Sequence, residues 1–493
     1  MKEHSRIINL VNSKFYPLLL FVVSFVFVTL FSRSTSFLYV FEGGDPSVFK
    51  QMGMALIKGK ILYVDYFDNK GCILYFIHAL GLWLGGDFFI LLMQAISLTI
   101  TLVIWDKMLA LYRDEKHRII GLAIALVLLL CFYAAGDQSQ EWCLPFASYP
   151  LLIYYRSRQE NREICPKQFF LIGICASVIT FIIVNNTIVI LGFLVYLWFE
   201  YLWKKDFKHL FSSLLWLSLG FLIITCSILV YFYLKAGWYG VNEMMYASFF
   251  SNFEYLDYKS SRSISYILPY CLFIVAFSFL SIINMYKEKD IIIPTIIALV
   301  LFILTNGTLC NTYYLLALLP LCIVLLMTYD QKKHRKINTC LCLIALCGFY
   351  INFCNPVYLI VNDAILGKEN ERMVYEEFHH CFEQIPIQER DSVYNYNLIY
   401  FGTGLMQHEG YIQCNKVLFT SLTFILPKLW KEETSKLVVN PKWIMISFDK
   451  QYLNDDADFI KENYELFCST HYVYFRNPKY NDEFDVHLYR RKD

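Results

Sequence analysis

Residues 16–49 read YPLLLFVVSFVFVTLFSRSTSFLYVFEGGDPSVF: an apolar run of membrane-crossing length, a short polar step, then two carboxylates, Glu42 and Asp45, joined by glycines. A spanning helix needs about 20 mostly apolar residues, and such runs recur down the chain. About eleven are legible, at residues 16–33, 88–112, 119–134, 143–155, 168–184, 188–203, 210–233, 264–285, 291–305, 308–328 and 337–358. Basic residues (Lys2, Arg6, Lys14) precede the first run and no small-residue cleavage site follows Phe31, so a retained first helix is expected.

Composition points the same way. Of 493 residues, 57% are apolar, 18% aromatic and 17% charged, whereas a soluble domain is about 25% charged. The clusters Arg113/Lys116/Arg118, Arg156/Arg158/Arg162/Lys167, Lys204/Lys205/Lys208, Lys287/Lys289 and Lys332/Lys333/Arg335/Lys336 fall on the side of the basic N-terminus. By the positive-inside rule that side is cytoplasmic. The opposite side receives residues 34–87, turns near Gly136, Asn185/Asn186 and Asn306/Gly307, the segment 235–262 and the tail. The expected fold is an α-helical polytopic protein of the plasma (inner) membrane over residues 1–358, with a small extracytoplasmic α/β domain over 359–493. In that tail, strands are expected at 391–397, 442–449, 465–475 and 484–490, with helices at 364–384, 416–437 and 450–463.

A net charge of +1 argues against a nucleic-acid partner, which calls for a basic face. Most of the 16 cysteines lie in apolar runs and behave as small hydrophobes. The tail holds Cys381, Cys414 and Cys468, enough for one bridge and without zinc-ligand spacing.

Polar chemistry concentrates outside the first helix. In Glu42-Gly-Gly-Asp45 one carboxylate could take a proton while its neighbour tunes it or helps hold a cation. Asp45 followed by Pro46 is also an ordinary helix start. Further on, YVDYFDNKG (residues 63–71) places Asp68 and Lys70 before Gly71, and a cation there suits a lipid-linked phosphate. Lys50, Lys58 and Lys60 lie in the same loop, where solvated or snorkelling lysines are the plainer expectation for Lys58 and Lys60. A second polar cluster, DQSQEW (137–142), offers Asp137 and Glu141 to sugar hydroxyls or a divalent cation, or is simply a solvated turn. Glu42, Asp45 and Asp137 are the candidate metal ligands; no cofactor is otherwise implied. Asn185 and Asn186 could bind a ligand or cap helix ends. The aromatic segment 235–262 ends at Arg262, and Tyr313 stands at the end of another apolar run; an interfacial aromatic belt would account for much of both, and a groove for a polyprenyl tail with Arg262 at its phosphate would also produce the first.

The acidic motif after the first helix, the Tyr-x-Asp-x-x-Asp-x-Lys-Gly pattern and Ile73-Leu74-Tyr75-Phe76 resemble the GT-C glycosyltransferases. More narrowly they are similar to the family 39-like branch of protein O-mannosyltransferases and lipid A aminoarabinose transferases. The resemblance in layout covers the membrane region, while its sharp motif occupies residues 42–78. It departs at Gly71-Cys72, where relatives often carry Gly-Pro, and at Asp45-Pro46, where the mannosyltransferases carry Asp-Glu. It implies Asp45 as catalytic base, Lys70 as a phosphate contact, a polyprenyl-phosphate sugar donor, and a lipid, glycan or protein acceptor in cell-envelope glycan biosynthesis. Asp137 or Glu141 matches the family's acidic second-loop position, and Tyr313 an aromatic position beside the donor. A transporter or flippase of lipid-linked glycans, a glycan polymerase and a non-catalytic scaffold are the rival classes; a transporter is expected to carry ionisable groups near the bilayer midplane.

Overall fold

The computed structural model describes residues 13–32, 45–132, 136–252, 254, 264–285, 288–306, 312–329 and 335–347, and in the tail 376, 378–396, 403–404, 406–407, 409–414, 416, 441–447, 456–477 and 480–492. The chain divides into two compact units. The first comprises Met1–Phe31, Leu91–Leu234 and Leu256–Asn355; the second comprises Ser32–Ile90, Lys235–Tyr255 and Pro356–Asp493.

The first unit is helical. The apolar runs read from the sequence are helical over most of their described residues: Tyr16–Phe31, Asp87–Leu109, Glu115–Phe132, Leu144–Gln159, Pro166–Thr180, Ile188–Trp203, Phe207–Met245, Ile264–Met285, Lys289–Asn306, the 3-10 turn Thr312–Leu318 with Leu319–Thr328, and Arg335–Cys347. By length and composition, four described helical stretches can cross a membrane: Asp87–Leu109, Val184–Trp203, Phe207–Phe250 and Lys289–Asn306. Their outward faces are apolar, with Trp203 80%, Phe211 67% and Leu234 77% exposed. Water would penalise such a surface and lipid does not, so this is a membrane protein.

With no hydrophobic drive between helices in lipid, close approach rests on small residues. A Cβ on Gly173 would lie 2.1 Å from the Leu217 carbonyl oxygen, and one on Gly220 would lie 2.0 Å from that of Phe170. Pro166–Thr180 and Phe207–Met245 therefore touch backbone to backbone. Gly192 meets the Pro294 carbonyl and Ala298 in the same way. Charges are paired near helix ends: Asp106 accepts from Arg118, and Arg158 and Lys204 both bind Glu200.

Helix Phe207–Met245 breaks at Ala236 and Gly237, whose φ of +61° is open to glycine at little cost, and resumes within the second unit. That unit gathers the first-loop helices Asp45–Ile57 and Cys72–Gly85, residues 235–255 and the tail. The tail forms a four-stranded sheet ordered β1-β2-β4-β3: β1 (Val393–Asn395) pairs parallel with β2 (Trp443–Ile446), and β4 (Tyr480–Arg491) runs antiparallel to both β2 and β3 (Tyr464–Asn477). Both faces of β1 and β2 are buried, as expected of strands covered on two sides. One face packs on Phe378, Phe382 and Ile385, the other on Ile460 and Tyr464. A disulfide joins Cys381 to Cys468. The strands match those expected at 391–397, 442–449, 465–475 and 484–490, while the helix expected at 416–437 lies, apart from Lys416, outside the described residues.

Candidate functional site

Asp45 is the first residue of helix Asp45–Ile57 and is half-buried. Pro46 behind it has a ring suited to the first helical turn, where no amide is lost. Val48, Phe49 and Met52 are buried, and Gly53 allows contact with Cys72–Gly85: a Cβ there would lie 2.8 Å from the Ala79 nitrogen. Three polar side chains on and just after this helix are engaged elsewhere. Lys50 is fully buried and pairs with Asp87 at 3.1 Å. Gln51 Nε2 donates to the carbonyls of Tyr411 (2.8 Å) and Thr403 (3.4 Å). Lys58 donates to both oxygens of Asp391 (2.7 and 2.9 Å) and to the Gly410 carbonyl. Lys58 is therefore neither simply solvated nor turned to a phosphate, and Lys60 remains exposed.

The segment 61–71 is a knot of tyrosines. Tyr63 adopts φ +65°, an uncommon backbone for a bulky residue, and its hydroxyl donates to the Lys70 carbonyl at 2.7 Å. Tyr66 donates to the Gln413 carbonyl, and the Phe67 amide to the Lys416 carbonyl. Asp68 is buried; Oδ2 accepts from the Tyr75 hydroxyl at 2.6 Å and Oδ1 from the Asn69 amide at 2.8 Å. Lys70 is half-buried and its ammonium donates to Asn69 Oδ1 at 2.8 Å, while Asn252 Nδ2 reaches the Asn69 carbonyl at 3.2 Å. Burial pushes the phenols of Tyr63 and Tyr66 up, so both stay protonated as fixed donors. Lys416 and Glu243, each almost wholly buried, pair at 3.5 Å. The Lys70 turn is thus held from three separate stretches of sequence: its own loop, residues 243–252 and residues 411–416.

The first unit holds the second polar cluster. Gly136 (φ +80°) and Asp137 (φ +56°) make a left-handed turn, and buried Asp137 accepts the Trp142 indole N–H on Oδ1 at 2.7 Å. Glu141 is buried on the short helix Ser139–Trp142. DQSQEW is therefore an interior element and not a solvated turn. Asn185 donates to Asn306 Oδ1 at 3.4 Å, within the 3-10 turn Val184–Thr187. Tyr313 has its backbone in the turn Thr312–Leu318; its side chain, Glu42 and Arg262 lie outside the described residues.

Among the described residues, the one group of three side chains spaced to hold a metal ion is Glu163, Asp206 and His209, where His209 already bonds to both carboxylates. The candidate ligand set read from the sequence includes Glu42, so the described residues do not test it. Sequence reading gave no role to Gln51, Glu243 and Lys416, and none to Tyr66 and Tyr75 beyond their place in the motif. The tyrosines repeated at 63, 66 and 75 were the one local signal of a buried knot; the other positions carry none.

Comparison with solved structures places the architecture in the GT-C fold. The apo oligosaccharyltransferase of Archaeoglobus fulgidus superposes with a TM-score of 0.50 at 13% identity, over 88% of this chain and 70% of that one. The same enzyme tethered by a disulfide to an acceptor peptide containing the NVT sequon gives 0.48 at 12%, over 98% and 75%. Residues 4–341 match the family model described as "Putative competence-induced protein Ccs4 N-terminal domain". The chain belongs to that family. No curated protein sequence matches it.

Proposed function

We propose that this chain is an inverting glycosyltransferase that moves a sugar from a polyprenyl-phosphate donor to an acceptor hydroxyl at the external membrane face. The observation that carries this is the first loop: a half-buried carboxylate, Asp45, opens a helix packed into the unit, and a tyrosine-locked turn in the same unit presents Lys70. In the proposed step Asp45 takes the proton of the acceptor hydroxyl as its oxygen attacks the anomeric carbon. The bond from that carbon to the phosphate oxygen breaks, and the polyprenyl phosphate departs with the electron pair, its charge met by Lys70, with Arg262 or a divalent cation as the second candidate on the sequence alone. Glu42 assists Asp45. Asp137, Glu141 and Tyr313 are sugar-binding candidates on the sequence resemblance alone, and Asp68 orders the Lys70 turn through Tyr75. A lipid-linked donor needs no nucleotide loop, in keeping with a sequence that has no Gly-rich phosphate motif.

The GT-C fold supports the reaction class, and the first-loop motif supports the family 39-like choice of a single sugar on one phosphate. The Cys381–Cys468 bridge supports an oxidising compartment, hence an extracytoplasmic tail over 359–493 and a cytoplasmic N-terminus in the plasma membrane. The alternative of a transporter is less favoured, because Asp106 and Glu200 are paired with arginines near helix ends. Sugar transfer by purified protein in nanodiscs, from a panel of radiolabelled polyprenyl-phosphate sugars, tests the proposal. Turnover with one donor, with KM raised at least tenfold in Lys70→Ala, is the expected outcome. No turnover alongside saturable lipid-glycan translocation in liposomes would make the chain a transporter.

A further inference from the structure

Two buried carboxamides in the first unit have donors that, among the described residues, no oxygen meets. Gln140 is fully buried on the helix Ser139–Trp142; its Oε1 accepts from Ser139 Oγ at 3.1 Å, and its Nε2 has no hydrogen-bond partner. Asn186, 2% exposed in the turn Val184–Thr187, has no acceptor for Nδ2 other than contact with the thiol of Cys143, a weak one. Cys143 directly follows the Gln140 helix and its thiol bonds to the Ser139 carbonyl at 3.3 Å, so the two elements meet at that cysteine. Buried amide donors are almost always satisfied, because leaving one dry forfeits its hydrogen bonds to water. Two such donors at one junction, unmet by any described residue, suit the oxygens of a bound molecule.

The surrounding charge selects the class of oxygen. Residues 136–143 carry buried Asp137 and Glu141 and no cation, a setting that repels phosphate. A sugar hydroxyl fits, since it donates to a carboxylate and accepts from an amide at once. Resting on the glycosyltransferase reading above, we infer that Gln140 and Asn186 are sugar-recognising donors that hold hydroxyl or acetamido oxygens of the transferred glycosyl group. They set which sugar is accepted, because a site built to hydrogen-bond an oxygen rejects analogues that lack it.

The test is thermal-shift titration of the full chain in nanodiscs with citronellyl phosphate, and with citronellyl phosphate bearing glucose, galactose or N-acetylglucosamine. Wild type is compared with Gln140→Met and Asn186→Leu, which remove the donors while keeping volume, and with Q140E and N186D as isosteres should the apolar variants fail to fold. The inference expects unliganded variants to melt at or above the wild-type temperature. It expects unchanged binding of the bare lipid phosphate and about three- to tenfold weaker binding of the preferred sugar lipid, the loss of one neutral hydrogen bond. A lower melting temperature without ligand, with sugar-lipid binding intact, would show that a structural water satisfies these donors and would overturn the inference alone. Wild type that discriminates none of the sugar lipids from the bare phosphate would overturn the glycosyltransferase reading and this inference with it.

Discussion

Gln51 shows how much one side chain can carry without any local sequence signal. Its buried carboxamide ties the Asp45 helix to the carbonyls of Tyr411 and Thr403. Gln51→Leu leaves those carbonyls dry, so a loss of about 1–3 kcal/mol in unfolding free energy is expected, read by denaturant titration in detergent. Two tail residues set a pH response. His379 bonds to Glu409 through Nδ1 and to Glu383 through Nε2, and the Glu409 bond raises its pKa above 6.5. Glu389 is held below 4.5 by bonds from Lys442 and the Trp443 indole. A raised histidine stabilises fully below about pH 6.5 and stops as pH rises through its folded value; a depressed glutamate stabilises fully above about pH 4.5 and stops as pH falls through its own. Tail stability should therefore peak between about pH 4.5 and 6.5, each group contributing less than about 1 kcal/mol because it is solvated. In His379→Gln the fall in unfolding midpoint between pH 6 and pH 8 should shrink; an unaltered fall would remove His379 as its source.

At the scale of elements, glycine spacing decides what can pack. Gly173 and Gly220 each face a carbonyl oxygen across the helix pair, so there is no room for any side chain. Gly173→Leu should separate the helices and cost about 1–3 kcal/mol or more, seen as a lower melting temperature and aggregation on solubilisation. A wild-type melt would contradict that contact. The helices themselves were legible, because a run such as residues 210–233 has no alternative outside lipid. What followed was not. Helix Phe207–Met245 continues past Gly237 for a further turn and more, into the aromatic-rich segment that sequence reading placed outside the membrane. Some of those rings are exposed, as a membrane belt would be (Trp238 70%, Tyr239 54%), but Tyr246 meets Phe67 in a tilted ring contact at 6.0 Å. Composition is blind to that split. The DQSQEW segment was read as a possible solvated turn for the same reason: polarity normally marks the surface, and here it marks an interior element.

For the whole molecule, the tail strands were visible from alternation and three tail cysteines allowed at most one bridge without saying which pair forms it, but pairing of residues 51, 58 and 66 with 391–413 is long-range and leaves no trace in local pattern. The described bonds make the tail part of the unit that carries Asp45. The Cys381–Cys468 bridge closes a separation of 87 residues, so C381S/C468S should lose about 2–4 kcal/mol and become sensitive to protease within the tail. Equal protease resistance with and without reductant would argue against the bridge. The central claim rests on Asp45. The most direct measurement is sugar transfer by wild type and Asp45→Asn, with donor binding and melting temperature recorded for both. Turnover reduced at least about a thousandfold, with binding and melting unchanged, is the predicted result for loss of the general base and its charge. Turnover equal to wild type would contradict it.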